Sequence, residues 1–466
     1  MIPMTISEIA AAVHGKIELE DARPSGLIAR VSTDTRTLEK GSLFIPLKGP
    51  HYDGHDFVFA ALEKGAAAVL VTRLLPGLFE ETRKSGASII LVNNTMSALT
   101  RLAAQQRDSS AATVIGITGS TGKTLTKDFT ASVLESAGGV VASKESYNNE
   151  IGVSLTLLEG NAHTRFMVLE MGSRASGDIS KLSSFARPRV GVITNIGWSH
   201  MQYFKNRDNL AKAKAELLQS LPPDGKAILN ADDDYSSYLG TLSPVPTITF
   251  GLSGRAQVRA MNIRTDKSGK VIFTLRSKGG TEENICIPLP GRHNVYNVLA
   301  AAAVGEIMGV KMESIVEGIA GAELTGWRME MITKPEEITI INDAYNANPV
   351  SMRSALMALG DISRSKRAIA VLGDMGELGP VSDTAHIEVG QLAVDYGTDI
   401  LITVGRRARK IAAAAREKGL PRGSVFTADG VDRAAEILRA VIEPGDVVLI
   451  KGSRFLGLER LVDLVA

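Results

Sequence analysis

The chain has 466 residues, 52 basic against 51 acidic, and a net charge of +1 at pH 7, so no strong field points to nucleic acid or an anionic membrane. No apolar run reaches the roughly 18 to 20 residues of a membrane span, no basic segment followed by an apolar one opens the sequence, and a single cysteine, Cys286, excludes an intramolecular disulfide. We therefore expect a monomeric cytoplasmic protein with small-molecule partners and, from its length, about three domains.

Residues 1–110 are predicted to form a small α/β domain. Short apolar runs and an amphipathic stretch give strand candidates Leu43–Leu47 and Ala67–Val71 and helix candidates Phe57–Lys64 and Met96–Gln106. The polar run Arg107-Asp108-Ser109-Ser110 follows, with a composition typical of a linker. We therefore predict the first domain boundary near residue 110.

A glycine-rich loop, Thr118-Gly119-Ser120-Thr121-Gly122-Lys123-Thr124, joins the apolar run Thr113–Ile117 to a predicted helix, Thr124–Ser136. Amides at a helix N-terminus can surround phosphate oxygens, glycines allow close approach, and a lysine and a threonine can reach the terminal phosphates and Mg²⁺. Gly119 precedes Gly122 by three residues instead of the commoner five, so this is a shorter variant of the phosphate loop. The alternative is a glycine-rich turn with an exposed lysine, but the flanking strand and helix favour ATP or GTP binding.

Residues 111–325 are predicted to form a central domain with a largely parallel sheet, because β-branched runs alternate with alanine-rich helical stretches. The strand candidates are Val114–Ile117, Phe166–Leu169, Val190–Thr194 and Ala227–Leu229. Ligands of such sheets gather at the carboxyl ends of the strands. The phosphate loop, Glu170 and the segment Asn195–His200 all follow strands, so we expect them to converge.

Several residues of the central domain have both a functional and a structural interpretation. Glu170 could bind Mg²⁺ or be a solvated strand-end carboxylate, and His200 could ligate a metal or simply pack. The run Ala211–Leu218 is predicted to be an amphipathic helix with its lysines facing water. Asn294 and Asn297, one turn apart, could read the edge of a purine or cap a helix. Cys286 is predicted to be a buried strand residue.

Residues 326–466 are predicted to form a third, doubly wound α/β domain without a phosphate loop. The strand candidates are Ile338–Ile341, Ala368–Leu372, Ile400–Val404 and Val447–Ile450, with a helix at Ser351–Leu359. Arg328, near the start of this domain, could neutralise charge on the phosphates. Asp343 follows a strand, where it could bind ribose hydroxyls or belong to a polar turn that ends in proline.

Taken together, these motifs resemble the Mur ligase family, the ATP-dependent amide-forming enzymes of bacterial peptidoglycan precursor synthesis. The resemblance covers essentially the whole chain. Its signatures are Thr118–Thr124, Asn148–Gly152, Gly291–Asn297, Gly326–Glu330, Asp343–Met352, Val371–Gly379 and Lys451–Arg454, with Ser32–Arg36, Gly41–Gly49 and Asp53–His55 resembling the family's UDP-sugar domain.

The resemblance implies three domains: a small N-terminal α/β domain for the UDP substrate, a central phosphate-loop ATPase domain and a C-terminal Rossmann-like domain. It implies that ATP activates the carboxylate of UDP-N-acetylmuramoyl-tripeptide as an acyl phosphate, which D-alanyl-D-alanine then attacks. It also implies two Mg²⁺ ions and a lysine carboxylated by CO₂, which aligns with Lys214 and not Lys212.

The residue roles that the resemblance implies fall into four groups. Catalytic roles fall to Lys123, His200, Lys214 and Arg328. Nucleotide binding falls to Thr118, Gly119, Ser120, Thr121, Gly122, Lys123, Thr124, Asn294, Asn297, Arg328 and Asp343. Substrate binding falls to Ser32, Asp34, Thr35, Arg36, Asn148, Asn149, Tyr345 and Asn348, and Mg²⁺ binding to Thr124, Glu170, His200 and Lys214.

Other functions also fit a short phosphate loop. The family member that adds the third peptide residue typically carries an Asp-Asn-Pro-Arg type motif, which this chain lacks. Folylpolyglutamate synthase shares the loop, but the N-terminal UDP-sugar-like motifs argue against it. An NTP-driven switch or a binding scaffold stays open, and the sequence does not tell whether the third peptide residue is lysine or diaminopimelate.

Overall fold

The computed structural model describes residues 1–20, 26–266 and 269–464. Within these ranges the strands form three sheets of five, nine and six strands, in chain order, with helices between them. The predicted three-domain α/β architecture with mostly parallel sheets is confirmed. The exact boundaries predicted at 110 and 325 stay predictions. No helix in the described ranges is long and apolar enough to cross a membrane.

The contacts between residues divide the chain into two compact units. The first contains Met1–Gly116, Ala137–Gly172 and Ile179–Arg189. The second contains Ile117–Ser136, Ser173–Asp178 and Val190–Ala466. The phosphate loop and the whole C-terminal segment therefore belong to the second unit, and Glu170 belongs to the first.

The N-terminal sheet has the strand order β1-β5-β4-β3-β2, and its pairs are parallel except β1 with β5. Its strands are β1 Lys16–Leu19, β2 Val31–Ser32, β3 Leu43–Phe44, β4 Ala68–Val71 and β5 Ser88–Leu91. Its helices are α1 Ile6–Val13, α2 Val58–Glu63, α3 Leu78–Ser85 and α4 Thr95–Ser109. Val69, Val71 and Ile89 pack with Val58 and Leu62 in one buried cluster.

Helix α4 continues to Ser109, three residues beyond the end predicted at Gln106. Its last turn keeps Arg107 7% exposed and pairs it with Asp108 at 2.5 Å. A polar composition is therefore compatible here with a helical turn, since burial of the arginine stem and the ion pair hold it.

The central sheet has the order β14-β13-β12-β11-β10-β9-β6-β8-β7. The described pairs are parallel from β9 to β12 and between β7 and β8, and antiparallel among β12, β13 and β14. The strands are β6 Thr113–Thr118, β7 Gly139–Ala142, β8 Thr164–Glu170, β9 Val190–Ile193, β10 Lys226–Asn230, β11 Thr247–Gly251, β12 Val258–Thr265, β13 Lys270–Arg276 and β14 Glu282–Pro290. The helices are α5 Lys123–Glu135, α6 Glu150–Glu159, α7 Asp178–Ala186, α8 Met201–Phe204, α9 Arg207–Gln219, α10 Ser236–Leu242, α11 Asn294–Ile307 and α12 Met312–Ala320.

The prediction for Cys286 is right in element and wrong in burial. Cys286 lies on β14 but is exposed, whereas its neighbours Ile285 and Ile287 are buried. Successive side chains of a strand point to opposite faces, and the two isoleucines take the inner face of this antiparallel strand.

The C-terminal sheet has the order β15-β16-β20-β17-β18-β19, parallel except for β15 with β16. The strands are β15 Glu330–Thr333, β16 Thr339–Asn342, β17 Ala368–Gly373, β18 Ile400–Val404, β19 Val425–Ala428 and β20 Val447–Lys451. The helices are α13 Pro349–Ile362, α14 Ser382–Asp395, α15 Arg409–Glu417, α16 Val431–Val441 and α17 Arg460–Leu464. Ile369 and Val371 join one core cluster while Ala370 and Leu372 join another, so both faces of β17 are covered.

Candidate active site

The phosphate loop connects β6 to the first turn of α5, as predicted. Gly119 has φ +148° and Gly122 has φ +79°, a region that side chains other than glycine rarely adopt. A Cβ on Gly119 would lie 1.9 Å from Thr194 Oγ1, and one on Gly122 would lie 2.3 Å from Asn297 Oδ1. Both glycines are therefore required by backbone conformation and by close neighbours.

The loop is held by the residues that follow β9. Ser120 N donates to Asn195 O at 3.0 Å, and Thr121 N donates to Asn195 Oδ1 at 3.1 Å. Thr194 Oγ1 donates to Thr121 O at 2.6 Å, and Thr194 N donates to Thr118 O at 3.0 Å. Thr118 itself is buried. The ends of β6 and β9 thus converge as the sequence predicts, and Thr194 and Asn195 brace the loop.

Lys123 and Thr124 form the first turn of α5, and the amides at such a helix start favour an anion. Lys123 Nζ donates to Gly119 O at 3.0 Å, so its ammonium lies over the loop. Thr124 is 1% exposed. These positions fit the predicted phosphate and Mg²⁺ roles.

Asn294 and Asn297 lie on one face of α11 and bond to each other, Asn297 Nδ2 donating to Asn294 Oδ1 at 3.0 Å. Asn294 Nδ2 donates to Pro290 O at 2.7 Å, and Asn297 Oδ1 accepts from Thr126 Oγ1 at 3.3 Å. Asn297 therefore contacts helix α5 at Thr126 and lies next to Gly122 of the loop, and Asn294 holds Asn297 in place. Direct purine recognition by these amides stays a prediction.

His200 and Lys214 lie near Lys123 in the second unit. His200 caps α8 in the left-handed region, φ +56°, and its Nδ1 is 2.5 Å from Glu377 Oε2. Burial and the ammonium groups of Lys123 and Lys214 lower the pKa of His200 to about 4, although the Glu377 carboxylate acts in the opposite direction. The imidazole is therefore neutral near pH 7, the form that ligates metals.

Lys214 corrects the expectation that the lysines of its helix face water. It lies on α9, is 1% exposed, and donates from Nζ to Ser173 Oγ at 2.9 Å. Lys212 is exposed on the opposite face of the helix. Two residues apart on a helix means about 200° of rotation, so the two lysines could not both face solvent.

Glu170 ends β8 and is 1% exposed, not a solvated strand-end carboxylate. Asn148 Nδ2 donates to Glu170 Oε1 at 2.8 Å, and Gly172 N donates to Asn148 O. Asn149 caps α6, its side-chain oxygen accepting from Gly152 N at 2.9 Å. The predicted substrate residue Asn148 and the predicted metal ligand Glu170 are thus direct partners within the first unit.

The segment before β15 carries Arg328 between two non-glycine residues in the left-handed region, Trp327 at φ +61° and Met329 at φ +55°. The Arg328 guanidinium lies 4.0 Å from the ring centroid of Tyr345, and its buried Nε has no hydrogen-bond partner within the described residues. A desolvated donor of this kind fits an anionic ligand.

Asp343 already has two partners. Its Oδ2 is 2.5 Å from Nζ of Lys451, which is 2% exposed, and its Oδ1 accepts from Met329 N at 3.2 Å. Lys451 Nζ also donates to Asn346 O at 2.9 Å. The ribose contact predicted for Asp343 stays a prediction, and the structure adds Lys451 as the cation that fixes this carboxylate.

Asn348 is a helix cap in the structure. Its Oδ1 accepts from Ser351 N at 2.9 Å, and Ser351 Oγ accepts from Asn348 N, which completes a capping box at the start of α13. Its predicted substrate contact is untested, and the observed bond uses the side-chain oxygen.

The predicted substrate residues of the N-terminal domain form one tight turn. Ser32 Oγ donates to Asp34 O at 2.8 Å, and Thr35 O accepts from Lys64 Nζ at 2.7 Å. Asp34 pairs with Arg36 at 2.6 Å, and this guanidinium lowers the pKa of Asp34. The turn leaves Arg36 exposed, as a contact for an anionic ligand requires.

The metal prediction can be tested on the chemistry of the donors present. In the described ranges no group of three or more His, Cys, Asp or Glu side chains could hold a metal alone. Mg²⁺ usually keeps waters and binds through one or two protein oxygens together with substrate phosphates. The residues fit such a partly substrate-supplied site, and not an all-protein cage.

Comparison with known families gives matches along most of the chain. The model of the Mur ligase family catalytic domain matches residues 27–107, that of the Mur ligase middle domain matches 117–305, and that of the Mur ligase glutamate ligase domain matches 327–454. UDP-N-acetylmuramoyl-tripeptide–D-alanyl-D-alanine ligase of Bacillus subtilis strain 168 is 38% identical over 472 residues, covering 100% of this chain and 99% of that protein.

Solved structures agree. MurF of Acinetobacter baumannii is 30% identical with a TM-score of 0.87, covering 99% of this chain and 98% of the other. MurF of Thermotoga maritima, solved in complex with ADP, is 25% identical with a TM-score of 0.80, covering 94% and 96%. A folylpolyglutamate synthase of Mycobacterium tuberculosis, 16% identical with a TM-score of 0.62, covers 80% of this chain and 94% of the other and shares the fold alone.

Proposed function

Because the chain belongs to the Mur ligase family, we propose that it joins D-alanyl-D-alanine to UDP-N-acetylmuramoyl-tripeptide in an ATP-dependent, ADP-forming reaction. One observation carries the proposal: relatives with this name match the chain from end to end, at 38% identity in Bacillus subtilis and 33% in Escherichia coli K12. The third-residue ligase and folylpolyglutamate synthase are similar only at 20% and 16% identity.

The chemistry has to activate an unreactive carboxylate. The terminal phosphoryl group of ATP is transferred to an oxygen of the tripeptide carboxylate, giving ADP and an acyl phosphate. The amine of the dipeptide attacks the acyl carbon and loses a proton, and inorganic phosphate leaves from the tetrahedral intermediate. Two anions must meet in the first step, so cations that neutralise them lower the barrier.

The phosphate loop and Lys123 are assigned to the triphosphate. The rigid backbone between Gly119 and Gly122 presents amides to the phosphates, and the ammonium of Lys123 lies over the loop. The guanidinium of Arg328, with its unpartnered Nε, is assigned to the transferred phosphoryl group. Tyr345 stacks on that guanidinium and keeps it in one orientation.

Magnesium is assigned to Thr124, His200 and Lys214 of the second unit, and Glu170 is assigned from the family resemblance. When bound, Mg²⁺ shields the charge of the phosphates and of the carboxylate. Carboxylation of Lys214, which is buried and bonded to Ser173, would convert its side chain into a metal-binding anion.

The remaining assignments concern the UDP substrate, the compartment and the assembly. The turn at Ser32, Asp34, Thr35 and Arg36 is assigned to the UDP substrate from the resemblance. The charge balance and the single cysteine support the cytoplasm as the compartment, and we propose a monomer.

A phosphate-release assay tests the function. We expect ATP-dependent release only when both UDP-N-acetylmuramoyl-tripeptide and D-alanyl-D-alanine are present, with mass spectrometry detecting the joined product. Lys123→Ala removes the ammonium over the loop and should abolish this release. Release that is unchanged when the dipeptide is omitted would instead identify a nucleotide switch.

A further inference from the structure

Glu377 lies in the loop after β17 and contacts the candidate metal ligand His200. Its Oε2 is 2.5 Å from His200 Nδ1, although the two residues are 177 positions apart in the sequence. Both side chains are partly buried, at 33% and 24% exposure. Because a carboxylate accepts hydrogen bonds and does not donate them, this contact requires a proton on Nδ1 and leaves Nε2 as the nitrogen that can face a metal.

The backbone around Glu377 is docked against the same helix. Gln202 N donates to Glu377 O at 3.1 Å, and a Cβ on Gly379 would lie 3.1 Å from Gln202 Cα. Val381 packs against the buried cluster that contains Met201 and Phe204. The segment from Glu377 to Val381 therefore binds α8 through main chain, side chain and apolar contacts.

Glu377 adopts a strained backbone conformation, φ +58°. The left-handed region is unfavourable for a non-glycine residue, because its Cβ approaches the following carbonyl oxygen. The preceding residue, Gly376, is fixed by a hydrogen bond from its N to Ser453 Oγ at 2.8 Å. Strain that the surroundings hold in place is typical of functional loops, and here it aims the carboxylate at His200.

The other oxygen of Glu377 faces the loop that holds Lys214. Arg174 NH2 is 3.4 Å from Glu377 Oε1, and the preceding residue, Ser173, accepts the bond from Lys214 Nζ at 2.9 Å. The Glu377 carboxylate thus contacts two loops that precede the C-terminal segment. One loop carries the candidate metal ligand His200, and the other contains Ser173, which accepts from the candidate ligand Lys214.

We propose that Glu377 is a positioning residue that orients the His200 imidazole for metal binding when the Glu377–Val381 segment docks on α8. The inference rests on the proposed function for the identity of the metal site. Docking of this segment on α8 then also orients the His200 imidazole, because Glu377 contacts both Gln202 and His200. Carboxylate partners of ligating histidines fix the ring and raise its basicity, and their loss costs about 10- to 100-fold in metal affinity.

The test measures metal binding directly. Mn²⁺, a paramagnetic substitute for Mg²⁺, is titrated into the protein with saturating ADP and followed by electron paramagnetic resonance. The variants are Glu377→Ala and Glu377→Gln, with His200→Ala to identify the contribution of the imidazole. Glu388→Ala is the matched control. Glu388 also lies in the C-terminal segment and forms a 2.5 Å ion pair, but its partner is Arg353 at the protein surface.

We expect Glu377→Ala to weaken Mn²⁺ binding by about 10-fold or more, and to add little to His200→Ala in the double variant. Glu377→Gln should lose less, because its amide oxygen still accepts from Nδ1–H without the negative charge. ADP affinity without metal should stay unchanged, as should the metal affinity of Glu388→Ala. Hydrogen exchange should show loss of protection at residues 201–205 in Glu377→Ala.

Mn²⁺ affinity unchanged in Glu377→Ala would overturn the proposal. So would equal losses of ADP affinity with and without metal, because they indicate a general structural role. Additive losses in the double variant with His200→Ala would also overturn it. None of these measurements requires ligation, so a failure of the proposed ligase reaction is distinguished by the phosphate-release assay on the wild-type protein.

Discussion

At the scale of single residues, the sequence around Lys214 predicts the helix but not the burial of this lysine. The alternation of lysine and alanine from 211 to 215 predicts a helix, and α9 is there. Ala211, Ala213 and Ala215 are buried with Lys214. Lys212 and Lys214 lie on opposite faces of this helix, so only one of them can point to solvent. Because both are lysines, the sequence does not tell which one is buried.

Replacement of Lys214 by alanine is expected to lower the ligation rate by about 100-fold or more, since several kcal/mol of charge stabilisation is lost and each 1.36 kcal/mol is a factor of ten. A short carboxylic acid that fits the vacated space should restore part of the rate by replacing the carbamate. Steady-state kinetics measure both effects, and Lys212→Ala, exposed on the same helix, is the control. An unimpaired Lys214→Ala enzyme would contradict the carboxylation.

The sequence did not reveal which residues contact each other over long separations along the chain. Lys451 and Asp343 are 108 positions apart, and both are polar strand-end residues with many equivalents along the chain. Ser173, which holds Lys214, is an ordinary serine in a loop. Each acquires its role only from the register of strands and the packing of helices, which local patterns do not encode.

At the scale of elements, buried parallel strands are the best predicted, because their continuous apolar runs are unlike the flanking helices. The predicted run Ile400–Val404 is also the observed strand. The end of a strand is predicted less well, because an apolar run can continue beyond the last residue that pairs in the sheet. The strand predicted at Leu43–Leu47 is only Leu43–Phe44, although all five residues are buried.

Helix α5 links the phosphate loop to the segment that carries Arg328. Asp128 Oδ2 accepts from Thr325 N at 2.9 Å, and Asp128 Oδ1 accepts from Thr325 Oγ1 at 3.2 Å. The same carboxylate pairs with Lys127 at 2.5 Å, with side-chain exposures of only 4% and 6%. The helix that starts at the loop therefore also fixes the start of the C-terminal segment.

Asp128→Ala should lower the free energy of unfolding by about 3 kcal/mol, because it leaves the buried ammonium of Lys127 without its carboxylate. Denaturant unfolding measures the loss. Glu135→Ala, an exposed acid at the end of the same helix, should change stability by no more than about 0.5 kcal/mol. Equal effects of the two substitutions would refute a structural role for the Asp128 contacts.

At the scale of the whole molecule, the number of domains and their class followed from length and from the order of motifs. The phosphate loop and the strand ends at Thr194 and Asn195 converge as the rule for parallel sheets predicts. The contact between His200 and Glu377 did not follow, because it joins segments that the sequence treats as separate domains.

The central claim is that the phosphoryl group of ATP passes to the carboxylate of the UDP-linked peptide. Transfer of ¹⁸O tests it most directly: tripeptide substrate labelled with ¹⁸O in its terminal carboxylate is ligated, and the released phosphate is analysed by mass spectrometry. An acyl phosphate requires one labelled oxygen to leave with each phosphate formed. Phosphate without label, released at the rate of amide formation, would contradict the account.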